Sequence, residues 1–115
     1  MIGAVAAFIF GLALTVFPTT MLAGFGLAVP GEAVVLSRDV GVTLIGLGVI
    51  NWIGRNATGE PLRAILVGNV VVQALELVVN AAEIAVSALP LQAGGGLLIH
   101  LVLGAIFVLA MTRAR

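Results

Sequence analysis

The segment AILVGNVVVQALELVVNAAEIAVSA, Ala64 to Ala88, decides the fold. Its polar residues are Asn69, Gln73, Glu76, Asn80, Glu83 and Ser87, separated by steps of four, three, four, three and four. At about 100° per residue they fall within about 80° of a helix circumference. Every other residue of the segment is apolar, Ala or Gly. A strand would alternate its polar positions every second residue, so the pattern predicts a helix with one wet face. A helix needs roughly 20 mostly apolar residues to cross about 30 Å of hydrocarbon, and this one is long enough to do so.

The flanks read the same way. The polar break from Arg55 to Pro61 precedes the segment, and Pro61 suits the first helical position, with Glu60 or Thr58 near the cap. Pro90 and the Gly94-Gly95-Gly96 run follow it. The whole chain has 115 residues, 62% hydrophobic and 9% charged, with mean hydropathy +1.30. That composition suits lipid rather than water as solvent, and the length allows about four crossings in one domain over residues 1–115. The expected fold is an all-α integral membrane protein, a four-transmembrane-helix bundle with spans at about 2–26, 33–54, 61–89 and 96–112. Pro18 removes a backbone donor and predicts a kink or break in the first span. With four spans, Arg55, Arg63, Arg113 and Arg115 share a side against Arg38 alone, so the positive-inside rule places both termini in the cytoplasm.

Several functions are disfavoured at once. A formal net charge of zero, with five Lys and Arg in all, does not suit nucleic acid, whose phosphates require a cationic surplus. No cysteine is present, which removes disulfides and thiolate chemistry. The start, Met1 to Phe10, lacks the basic region of a secretory signal and is read as mature structure. The sequon Asn56-Ala57-Thr58 falls on the expected cytoplasmic side, where it carries no meaning.

A carboxylate near the middle of a bilayer costs a few kcal/mol or more unless it is neutralised, paired or hydrated. Glu76 sits close to the midpoint of the third span. The stripe is therefore expected to face the bundle interior, a water-filled cavity or a partner chain. Asn69, Gln73, Asn80 and Ser87 can equally serve as interhelical hydrogen-bond glue, at about 0.6 to 2 kcal/mol per contact. Glu76 and Glu83 carry an ionisable group that glue does not require.

Counted inward from the non-cytoplasmic ends, Arg38, Glu83 and His100 each lie about five residues deep, roughly 7 Å. This depth predicts an Arg38 to Glu83 ion pair with His100 close by and Asp39 adjacent. Gly96 and Gly104, four residues either side of His100, leave space for a ligand or a close helix. The alternative has Arg38 and Asp39 snorkelling to the headgroups. One His and no Cys are too few ligands to predict a metal site. Thr15 and Thr43 reach toward the level of Glu76, and Asn51 and Asn69 lie near the cytoplasmic end, so a polar track across the bundle is conceivable. Trp52 reads as an interfacial anchor. Gly41 and Gly48 share one face of the second span and Gly46 lies opposite, which permits close approach from two sides.

The order Phe17-Pro18, Phe25-Gly26-Leu27, Arg38-Asp39-Val40-Gly41-Val42, Gly46-Leu47-Gly48-Val49-Ile50-Asn51-Trp52, then Arg55 and Arg63, resembles the DoxX-like group of small bacterial four-helix membrane proteins. The likeness covers about half the chain, and the two Glu residues of the third span lie outside the pattern. It implies a bacterial inner-membrane location, and a quinone, a lipid or a larger membrane complex as company.

Three functions follow in order of support. The first is a membrane binding or accessory protein whose polar face holds a lipophilic ligand or meets a partner subunit, as a homo-oligomer or within a larger complex. The second is an oligomeric proton-linked transporter or cation channel using Glu76 and Glu83. The third is a lipid-modifying enzyme with Glu83 and His100 as a proton-transfer pair. No nucleophile motif or phosphate loop supports an enzyme, and no catalytic residue is assigned.

Overall fold

The computed structural model describes Met1–Ala114; Arg115, one of the basic residues used above to orient the chain, lies outside the described residues. The chain is 86% helical, with no strand among the described residues. The helices are α1 (Ile2–Val16), α2 (Pro18–Gly24), α3 (Gly31–Ile53), α4 (Gly59–Ala85) and α5 (Gly94–Arg113). Short 3-10 turns at Gly54–Asn56 and Leu91–Ala93 follow α3 and precede α5. Three helices are long and apolar enough to cross a membrane, or four crossings exist if α1 and α2 count as one broken span. This is what a multi-pass membrane protein requires. Large side chains such as Leu75, Val78, Leu98 and Leu101 stand exposed along these helices, as expected where lipid is the solvent.

The chain divides into two compact units, Met1–Arg55 and Asn56–Arg115. In the first, α1 packs antiparallel on α3, and small residues set the approach. A Cβ placed on Gly11 would stand 2.8 Å from the carbonyl oxygen of Gly41 and 2.9 Å from the amide nitrogen of Ile45. One on Gly41 would stand 2.7 Å from the Gly11 oxygen and would also meet the Thr15 hydroxyl. Only glycine fits at this crossing, because backbone meets backbone. Gly48 rests against the Phe8 ring, whereas Gly46 faces open space. The Ser37 hydroxyl donates across the helix pair to the carbonyl of Leu14, at 3.4 Å.

The segment expected to form the first span is broken at Phe17 rather than kinked. α1 has 15 residues, about 22 Å of helix, which falls short of a bilayer core. Phe17 leaves helical geometry at φ −122° and ψ 48°, as a residue before proline tends to, and Pro18 opens α2 at a bend of 110°. α2 ends where Gly26 turns left-handed at φ 74°, with the Gly26 amide donating to Ala23 and the Leu27 amide to Leu22.

The second unit is the helical hairpin of α4 and α5. α4 starts at Gly59, so Pro61 takes its third position rather than the first. It ends at Ala85 instead of near Leu89, because Ser87 adopts φ 58°. The Ser87 amide donates to Ile84 and the Ala88 amide to Glu83, the pairing of a Schellman terminus. The Gly94-Gly95-Gly96 run, expected to separate helices, is the first turn of α5. In lipid an unpaired backbone group costs several kcal/mol, and this draws even glycine into helix.

Candidate functional site

The polar stripe of α4 is split by its surroundings. Asn69 and Gln73 are buried, at 2% and 6% exposure, while Asn80 and Glu83 are half-buried and Glu76 is exposed. Ser87 lies beyond the helix in the left-handed turn, so it leaves the stripe that helical spacing assigned to it.

His100 of α5 meets this stripe at Gln73 and Glu76. Its Nδ1 lies 2.8 Å from Gln73 Oε1, and since the amide oxygen only accepts, Nδ1 is the protonated nitrogen in this arrangement. The other ring nitrogen, Nε2, then points toward Glu76, 3.9 Å from Oε2. That same Oε2 accepts from the Asn80 amide at 3.0 Å, and the Asn80 amide also donates to the Glu76 backbone carbonyl at 2.7 Å. Gly104, one turn beyond His100, lets α5 close on α4: a Cβ there would stand 3.4 Å from the Gln73 Cβ. Gln73, His100, Glu76 and Asn80 thus form one connected array. Within it the Glu76 side chain is 48% exposed and that of His100 26%.

The depth reading placed His100 level with Glu83, and the structure corrects this. Glu83 is seven residues beyond Glu76, about 10 Å along α4, so it lies well away from the ring. The count failed because it took the helix ends to be Leu89 and Gly96, whereas α4 ends at Ala85 and α5 begins at Gly94, which leaves Glu83 two residues from its helix end and His100 six from its helix start. Arg38 and Asp39 are exposed residues of the first unit and Glu83 belongs to the second, so the expected Arg38 to Glu83 pair would have to form between units.

The remaining candidates have local partners. The Thr15 hydroxyl donates to the Gly11 carbonyl at 2.7 Å, and the Thr43 hydroxyl to the Asp39 carbonyl at 2.9 Å, each one turn back along its own helix. Asn69 donates to the Ile65 carbonyl at 2.8 Å. Asn51 is buried on α3. Trp52 lies beneath the Arg55 guanidinium, 4.5 Å from the ring centroid, and Arg55 Nη1 also donates to the Trp52 carbonyl at 2.7 Å. No group of three or more His, Cys, Asp or Glu able to hold a metal occurs among the described residues.

Sequence reasoning missed the bond between Gln73 and His100. Each residue was singled out, but only the register of α4 on α5 joins them. Comparison with protein-family models, with curated proteins and with solved structures finds no match.

Proposed function

We propose that this chain is a small integral membrane binding or accessory protein whose α4 polar face holds a lipophilic ligand, such as a quinone or a lipid, or a partner subunit. One observation carries the reading. The Gln73, His100, Glu76 and Asn80 array sits along apolar helices with hydrogen-bonding atoms of Glu76 and His100 still accessible. In lipid such atoms need a polar occupant, because hydrocarbon offers them none. The buried end anchors the hairpin through the Gln73 to His100 bond, and the accessible end does the binding. The DoxX-like resemblance over Phe17 to Arg63 supports the same company and a bacterial inner-membrane setting. The four crossings, their bundle and the cytoplasmic termini belong to this proposal, as does an oligomer or larger complex.

Purification in mild detergent followed by native mass spectrometry tests the reading. The expected spectrum shows the chain with a bound lipophile, a second copy or a partner. A bare monomer would contradict it.

A second reading, proton-linked transport or cation passage through Glu76 and Glu83, is favoured by the 3.9 Å approach of His100 to Glu76. Flux into proteoliposomes should fall in Glu76→Gln if Glu76 lies on the path. Unchanged flux would remove Glu76 from it.

A further inference from the structure

We infer that Glu76 and His100 form a one-proton binding site, in which a single proton moves between Glu76 Oε2 and His100 Nε2. The inference deepens the functional reading above and rests on the same array.

Charge supplies the first argument. Between Arg63 and Arg113 the sequence contains two carboxylates, one histidine and no Lys or Arg. Arg63 is thirteen residues from Glu76 and Arg113 thirteen from His100, each about 20 Å along its helix. Of the charged and titratable groups on α4, the Leu91–Ala93 turn and α5, which are Glu60, Arg63, Glu76, Glu83 and Arg113, only Glu76 comes within 4.0 Å of His100. A carboxylate at this depth must be neutralised or hydrated. Within this hairpin, His100 is the one group within 4.0 Å of Glu76 able to carry a compensating positive charge. Glu83, two residues from the end of α4, is close enough to the helix terminus to be hydrated instead.

Geometry supplies the second. Gln73 fixes the Nδ1 proton and so turns Nε2, with its lone pair or second proton, toward Glu76. Asn80 holds the facing oxygen, Oε2, from the other side. The 3.9 Å separation exceeds a hydrogen bond by about 1 Å, so transfer requires the two side chains to close that distance first. In transfer, the O–H bond of Glu76 breaks and an N–H bond forms at Nε2, leaving a carboxylate and an imidazolium. The pair is neutral before and after. Losing the proton leaves one net negative charge and gaining a second leaves one positive, and lipid penalises both. A ligand headgroup that bonds to the accessible side of Glu76 therefore competes for this proton.

The chain has one histidine, so nitrogen labelling of His reads a single site without assignment. The full chain in lipid bilayers, with ¹⁵N in His and ¹³C in the Glu carboxyl groups, should show a dipolar coupling between Nε2 and a Glu carboxyl carbon at neutral pH. The coupling should vanish in Glu76→Gln and persist in Glu83→Gln, with the Nε2 frequency displaced only in the former. No coupling in the wild type, or loss of it in Glu83→Gln but not in Glu76→Gln, would overturn the inference. Should Glu76→Gln fail to fold, the wild-type coupling and its weakening in Glu76→Asp decide. The failures are separable: a bare monomer by mass spectrometry ends the binding reading and leaves this coupling intact, while a missing coupling with ligand still bound ends only the proton site.

Discussion

Gln73 and Ser87 stand on the same face by sequence spacing and have opposite fates in the structure. Gln73 is 6% exposed and its Oε1 accepts the hydrogen bond from His100 Nδ1–H. Replacing it by Leu removes the acceptor and strands a ring N–H, so Gln73→Leu should destabilise the protein by about 1 to 2 kcal/mol. Denaturant titration of the detergent-solubilised protein measures this, and an unchanged midpoint would show that the bond contributes nothing. Ser87 lies at φ 58°, where a side chain is strained by about 1 kcal/mol or more relative to glycine. Ser87→Gly should therefore raise stability by about that amount, and a loss would mean that the hydroxyl has a role the backbone does not reveal. Five of the six stripe positions, Asn69, Gln73, Glu76, Asn80 and Glu83, were legible because polar residues at steps of three and four have one explanation on a helix. The left-handed turn was not, since nothing local distinguishes Ser87 from the five stripe residues that remain helical.

At the scale of elements, α1 and α3 are held close by glycine and α1 is separated from α2 by proline. Gly41→Leu should force the helices apart, because its Cβ alone would stand 2.7 Å from the Gly11 carbonyl oxygen; the cost is roughly 1 to 3 kcal/mol or loss of the folded state. Gly46→Ala meets nothing within 4 Å and replaces the poorest non-proline helix former by the best, so it should be neutral or stabilising by up to about 1 kcal/mol. A thermal unfolding comparison of the two variants reads both signs. Pro18→Ala restores a backbone donor and frees Phe17 to become helical, so the distance between spin labels at Ala7 and Ala23 should lengthen as the 110° bend opens. An unchanged distance would assign the bend to packing instead. The spans themselves were readable from hydropathy and from Pro61 and Pro90. Their exact pairing was not, because the register of α5 on α4 depends on how many residues the turn from Val86 to Ala93 takes up.

For the whole molecule, the proposal assigns four crossings with both termini in the cytoplasm. The chain contains no cysteine, so single substitutions report side without background. Cysteines at Ala28 and Ala88 should react with an impermeant maleimide from outside intact cells, and one at Ala57 should not. Labelling of Ala57 but not Ala88 would invert the orientation, and labelling from outside of a cysteine at Gly3 together with the one at Ala28 would turn the bent α1 and α2 into a re-entrant pair with three crossings. The most direct test of the central claim, that the α4 polar face receives a specific occupant, is photo-crosslinking in native membranes from a photoreactive side chain at Asn80, compared with one at Val78 on the opposite, exposed face. The account predicts one dominant adduct at position 80, a single lipophile or a single polypeptide, against a spread of bulk phospholipids at position 78. The same spread at both positions would contradict it.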